Sequence, residues 1–391
     1  MIIPRLALRN LFGAGIRTWL NVVVLSFSFV AIIWTQGLYI GMGDQAKRAQ
    51  IDIEYGGGQY WHESYDPYDP LSLQDAHGVI PESLQRMIDD SQATPILVAQ
   101  ATIYPEGRLQ TILLKGIDPG QTIVSFPSYF LAQEGEEELP TLIGNRMAEN
   151  TGLKVGDTVT VRWRDAQGTF DARDVRIAQV IKTTVQSVDV GQIWIPLEKM
   201  RMLMRMENEA SLVILDKDTE KAPVASGWTH KSLDILLKDI DALVQSKTIG
   251  GSIMYLILLL LAMLGIFNTQ VLSIFRRRKE MGTMMAMGFT RVKIIQLFTL
   301  EGAMHSVLAA VVAAIYGIPL LIYFSKQGWA MPEATDSYGF ALGERLFPTY
   351  GAGLVIGTTV LILLVTTIVS FLPTRKIAKL KPTDALRGKL S

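Results

Sequence analysis

The sequence predicts a polytopic α-helical membrane protein: four transmembrane helices, with a large mixed α/β extracytoplasmic domain inserted between the first and second. Three observations predict it. Of the 391 residues 49% are hydrophobic, four long runs carry no charge, and the Lys and Arg residues collect at one end of each run. A bilayer crossing takes about 20 apolar residues of helix, and 20–40, 253–274, 303–324 and 352–372 each meet that length. Basic residues beside a span are held on the cytoplasmic side. Segments 1–19, 275–300 and 373–391 together hold 15 basic and 2 acidic residues, whereas 43–248 holds 20 basic and 31 acidic, a net of −11. Both termini and the 275–300 segment are therefore expected inside and the acidic insert outside, as four spans allow.

In chain order, 1–19 is expected to form an amphipathic helix at the cytoplasmic interface, begun by Pro4, a residue suited to a first helical turn. Arg5, Arg9 and Arg17 recur at multiples of four on one side and Leu8, Leu11, Phe12 and Trp19 lie on another, which fits a helix in the headgroup layer. A plain positive flank that only fixes topology is the other reading. The first transmembrane helix, 20–42, is too long for a signal-peptide core and has no small-residue cleavage site, so it reads as retained.

The insert, 43–248, is long enough for one or two domains. "TPILVAQATIYPEGRLQTILLKGIDP" predicts two strands around "PEG", and "DTVTVRWRDAQGTFDARDVRIAQVI" two more around "DAQG". "LPTLIGNRMAENTGLKVGD" predicts a short helix closed by Gly152. "SLDILLKDIDALVQSK" spaces Leu233, Leu236, Leu237, Ile240 and Leu243 as one helix running toward the second span, 249–275, with Gly250 and Gly251 as a point where it could uncouple. In "EYGGGQYWHESYDPYDP", Tyr60, Trp61, Tyr65 and Tyr68 alternate with acids, which suits either a partner surface or a loop whose rings pack on their own domain. His62 and His77 lie near Asp66, Asp69 and Asp75, but the spacing fits no metal-ligand motif.

Segment 276–300 opens "RRRKEMGTMMAMGF". Arg276 to Lys279 pin the end of the second span to the inner surface. Arg277, Arg278, Lys279, Glu280, Met281, Gly282, Met284 and Met285 then form a short helix closed by Gly288, its methionines on one face and able to adapt to a partner's groove. Thr290 caps the next helix, which leads into the third span, 301–324. Near the start of that span Glu301 and His305, four apart on one face, form an intramembrane polar pair. Such groups are costly in the bilayer unless used, and interfacial hydrogen bonding or a proton or substrate role both remain open for them. A short outer loop, 325–349, precedes the fourth span, 350–372. The tail 373–391 carries Arg375 and Lys376 at the interface. Small residues recur four apart at Gly37/Gly41, Ala309/Ala313/Gly317 and Gly353/Gly357, a spacing that permits close helix approach.

There is no cysteine, so disulfides, thiolate metal sites and a cysteine nucleophile are excluded. No GxxxxGK[ST] loop, HExxH or GxSxG occurs. The chain is expected to be no enzyme, with no catalytic, cofactor-binding or metal site of its own.

"RRRKEMGTMMAMGFTRVKIIQLFTLEGA" resembles the signature of the FtsX/MacB-type (type VII) ABC transporter permeases: a basic cluster, Lys-Glu, an aliphatic residue and Gly, then Ala-x-Gly and a Glu in the next span. "LALRNLFGAGIRTWLN" resembles the family's amphipathic lead-in helix and "LPTRKIAKLKPTDALRG" its exit segment. "LIGNRMAENTGLKVGDTVTV" and "KGIDPG" are similar to the outer domain of macrolide-exporter and lipoprotein-releasing permeases, and the layout is closest to the LolC/LolE-like ones. The resemblance implies a MacB/LolD-type ATPase subunit carrying ATP and Mg, and a second permease subunit in a homodimer or heterodimer. It also implies a bacterial inner-membrane location, no nucleic acid, and mechanotransmission from the ATPase to the outer domain. Residues 276–300 become the ATPase-coupling helix and its lead-in. Cargo is expected to be a lipoprotein or other amphiphile, with a periplasmic partner as a further expectation. MacB-like efflux of drugs or peptides and FtsX-like control of a cell-wall hydrolase are the alternatives.

Overall fold

The computed structural model describes residues 15–69, 72–132, 138–219, 223–330 and 345–375. Arg5, Arg9 and Lys376, the interface helix before residue 15 and the tail after 375 lie outside the described residues, as does the Arg17 side chain. By internal contacts the chain forms two units, one made of 43–242 and the other of the flanking helices.

The helical unit is built on the parts of Ile16–Gln50 up to residue 42 and of Lys238–Arg276 from residue 243, with Arg291–Gln327 and Ala352–Thr374; all four helices are long and apolar enough to cross a membrane. Lys238–Arg276 runs unbroken through Gly250 and Gly251, so that pair does not interrupt it; the break falls earlier, at Leu237, after a single turn Leu233–Leu236. The bundle core joins Val22, Leu25 and Phe29 to Leu259, Met263, Ile266, Ala309, Ala313 and Ile362. Its outside is the reverse of a water-soluble surface. Phe27, Ile253, Leu260, Leu261, Ile315 and Ile356 are all more than half exposed, a continuous apolar exterior that lipid or another apolar chain must cover.

Two of the three small-residue spacings act within this chain. A Cβ on Gly41 would stand 2.1 Å from the Phe347 carbonyl oxygen, and one on Gly317 would stand 2.6 Å from Val30. Gly353 and Gly357 meet nothing within 4 Å.

The other unit is a sheet of nine strands in the order β11-β1-β10-β3-β4-β8-β5-β7-β6. The strands are β1 Gln59–His62, β3 Ala93–Ile103, β4 Gln110–Ile117, β5 Leu139–Gly144, β6 Thr158–Arg164, β7 Phe170–Ile181, β8 Gln192–Pro196, β10 Leu212–Leu215 and β11 Trp228–Lys231; a separate pair joins β2 Gly78–Val79 to β9 Glu209–Ala210. The hairpins around "PEG" and "DAQG" are β3–β4 and β6–β7. Strand β3, 11 residues long, does double duty: Ala93–Ile96 pair with β10, while Ala101–Ile103 pair with β6 and close β3-β4-β8-β5-β7-β6 into a barrel. Closure removes the edge that β3 and β6 would otherwise expose. Leu97, Ile103, Val161, Trp163, Ile177 and Ile193 fill its interior.

Gly152 ends the helix Asn145–Thr151 at φ 73°, the left-handed cap that glycine takes without a Cβ penalty. Outside the barrel, Lys115 and Glu54 form a buried ion pair at 2.9 Å. Burial pushes the Glu54 carboxyl up, but the Lys115 charge and hydrogen bonds from Lys115, Ser187 and Gln192 outweigh it and hold the group below its ordinary value.

Candidate functional site

The basic segment after the second apolar helix folds as a tight hairpin. Lys238–Arg276 ends, Arg277 leaves helical geometry at φ −97°, ψ 18°, and the short helix Arg278–Ala286 begins. It stops because Gly288 takes φ 93°: the Gly288 N–H bonds to Met285 O and the Phe289 N–H to Met284 O, satisfying two terminal carbonyls. Thr290 then starts Arg291–Gln327, its Oγ1 accepting from the Lys293 N–H.

The methionine face is taken up inside the chain. Met281 is fully buried among Ile274, Ile294 and Phe298, with Met284 and Met285 packed against that cluster. The expectation that this face offers itself to a partner's groove is therefore corrected for Met281; Met284 and Met285 are half-buried. The foot of the third apolar helix is already beside it, and an apolar stripe is buried by the first apolar neighbour it meets. What the hairpin shows to solvent is the opposite side and the turn: Lys279, Glu280, Thr283, Ala286, Met287, Gly288 and Phe289 are exposed. Met287 is 68% exposed. Gly282 is buried with Met281.

Electrostatics bind the hairpin to the third helix. Arg277 Nη1 donates to both carboxylate oxygens of Glu301, at 2.9 and 3.0 Å, and its Nε donates to Glu280 Oε2 at 2.7 Å. The guanidinium lies over the Phe298 ring, 4.9 Å from its centroid. Burial would push the Arg277 guanidinium down, but Glu280 and Glu301 outweigh it and hold it above its ordinary value, fixed as a cation. Arg278 covers Phe275 at 4.5 Å, and Arg375, at the end of the fourth helix, covers Phe371 at 5.9 Å. Glu301 and His305 do share a face, but His305 turns Nδ1 to the Glu301 carbonyl oxygen at 2.9 Å, while the carboxylate goes to Arg277. Sequence reading missed Arg277 as the partner of Glu301. The available signal was a lone acid at the start of an otherwise uncharged span, with a run of arginines at the end of the preceding one.

Beside Glu301, at Gly302, the second, third and fourth helices pack without room for a side chain. A Cβ on Gly302 would stand 2.3 Å from Ser370 Oγ on the fourth helix and 2.8 Å from Gln270 Nε2 on the second. Gln270 Oε1, His305 Nε2 and Ser370 Oγ are buried there without a hydrogen-bond partner.

The aromatic segment of the insert is not a surface patch. Tyr60 is 1% exposed, its hydroxyl donating to the Pro223 carbonyl, because β1 lies inside the sheet between β11 and β10. Trp61 and Tyr65 pack edge to face, 5.3 Å between centroids, on a core cluster of the same unit. Tyr68 alone of the four is exposed, and its hydroxyl bonds to Asp239.

Residues 252–382 match the family "FtsX-like permease C-terminal". An uncharacterised ABC transporter permease of Methanocaldococcus jannaschii is 23% identical over 65% of this chain and 64% of its own length. The lipoprotein-releasing system transmembrane protein LolC of Xylella fastidiosa is 22% identical over 75% of this chain and 77% of its own. The macrolide export ATP-binding/permease protein MacB of Psychrobacter cryohalolentis is 24% identical over 51% of this chain, a match that spans 30% of that protein.

Proposed function

We propose, from the FtsX-like permease domain that this chain carries and its homology at modest identity to the LolC and MacB ABC transporter permeases, that it is a transporter subunit worked by a separate ATPase docking on its 276–300 hairpin. The observation that carries this reading is the hairpin's division of labour. One face is sealed onto the third helix through Met281, and the other presents Lys279, Glu280, Thr283 and Met287 as an exposed ledge. A soluble motor needs such a ledge, since a push on a floppy loop would dissipate in the loop. ATP and Mg belong to the motor. In this reading the hairpin and both termini face the cytoplasm, by the charge bias, and unit 43–242 lies outside.

For cargo, we favour lipoproteins or similar amphiphiles, because the LolC match takes in 75% of this chain against 51% for MacB. Export of the MacB kind is the second reading, favoured by that relative. The test is reconstitution with the ATPase. Glu280→Lys or Gly288→Val, the latter forcing a branched side chain into φ 93°, should leave membrane insertion intact and remove coupled hydrolysis and cargo movement. Normal hydrolysis and movement in both variants would overturn the assignment of the ledge.

A further inference from the structure

We infer that Arg277 is a positioning residue that locks the hairpin and the third apolar helix into one mechanical piece, with Glu301 as its anchor. The inference rests on the transporter reading only for what that piece is used for.

Arg277 occupies the joint where helical geometry fails between Lys238–Arg276 and Arg278–Ala286. An unsupported joint of this kind is a swivel, and motion of the ledge would be absorbed there. The side chain that leaves the joint prevents it. Its planar fork reaches Glu280 on the short helix with Nε and both oxygens of Glu301 on the long one with Nη1, and Phe298 supports its face. Guanidinium geometry is what permits two acids on different elements to be held at once; an ammonium is a point charge without that fork.

Two features place the lock where it transmits. Glu301 is 7% exposed, and a buried carboxylate is held firmly to the cation that neutralises it. Its neighbour Gly302 leaves no room for a Cβ beside Ser370 and Gln270, so displacement of the hairpin is delivered at a level where the second, third and fourth helices are packed together. Below it, Met281 packs on Ile294 and Phe298. Apolar contact resists separation but is not directional; the Nε contact to Glu280 and the Nη1 contact to Glu301 add orientation.

The absence of cysteine makes this testable in the full chain without the ATPase. Spin labels go on Thr283→Cys and Gln296→Cys, both exposed positions, in lipid nanodiscs, with interlabel distances measured. The parent should give one narrow distribution. Arg277→Lys and Glu301→Gln should lose that single peak. Loss alone could reflect an uncompensated buried charge, so the deciding variant is R277M/E301M. Replacing a buried pair by apolar groups restores stability but not the fork, so its thermal stability should return toward the parent while the distribution stays broad. A narrow, parent-like distribution in R277M/E301M, or in Arg277→Lys, would overturn the inference. Neither outcome depends on whether an ATPase binds, so a failed transporter reading would show separately, in the reconstituted complex.

Discussion

Two methionines six residues apart should behave oppositely when truncated. Met281 is fully buried against Ile274, Ile294 and Phe298, whereas Met287 is 68% exposed at the turn. Removing a buried Met side chain costs about 2–5 kcal/mol in lost transfer energy and residual cavity. If that loss falls on the docked state of the short helix, its opening equilibrium rises roughly 30- to 3,000-fold at one decade per ~1.4 kcal/mol. Hydrogen–deuterium exchange of the 278–290 amides reads this directly, because protection there reports local opening. Met281→Ala should speed exchange by between one and a half and three and a half decades, all about as estimated from cavity costs. Met287→Ala should leave exchange as in the parent and instead weaken ATPase retention by about 5- to 30-fold, the usual effect of truncating a contact worth ~1–2 kcal/mol. Parent-like exchange in Met281→Ala would refute the inward packing of the methionine face, and undiminished retention in Met287→Ala would refute its role as contact.

Other consequences concern the rest of the chain. Gly144→Ala would put a Cβ 2.4 Å from the Asp189 Cα, against backbone that cannot rotate away; a loss of about 1–3 kcal/mol is expected, read as earlier urea unfolding by tryptophan fluorescence, and an unchanged midpoint would contradict the packing of β5. Glu54 has a folded pKa below its ordinary 4.5, so its contribution to stability is fully present above the unfolded pKa and is lost as pH falls through the folded value. Unfolding followed from pH 7 down through 4 should show that loss in the parent. Lys115→Met should be less stable at pH 7 by about 3–5 kcal/mol and should gain rather than lose from Glu54 protonation; equal pH slopes in the two proteins would count against the pair. Gly302→Ala should lower the melting temperature of the full chain in nanodiscs, since Ser370 and Gln270 must move, while Gly357→Ala, with open space around it, should not in the single chain.

Local chemistry was legible in the sequence and remote pairing was not. Alternation around "PEG" and "DAQG" marks β3–β4 and β6–β7, and Gly152, Gly288 and Thr290 announce their caps, because each depends on residues within a few positions. The pairing of Ala101–Ile103 with Val161–Trp163 that closes the barrel joins segments some 60 residues apart, and alternation says which residues face inward but not which strand is adjacent. At the site, periodicity put Met281, Met284 and Met285 on one face without saying that the chain's own third helix would cover it. The four-residue spacing of Glu301 and His305 suggested a pair, yet a carboxylate seeks the nearest cation, and Arg277 reaches it from 24 positions away. Tyr60 sits in an acid-rich stretch that suits a partner surface or a loop packed on its own domain, and the sequence does not say that β1 is an interior strand of the sheet.

The central claim is that a separate nucleotide-hydrolysing subunit grips the exposed ledge of the hairpin. It is tested most directly by placing one cysteine at Met287 in this cysteine-free chain, attaching a benzophenone, and irradiating membranes that contain the chain and its candidate ATPase. The account predicts a single heavy adduct containing the ATPase, absent when the cysteine is moved to Ile315, exposed on the apolar third helix. Adducts from position 315 but none from 287 would contradict it.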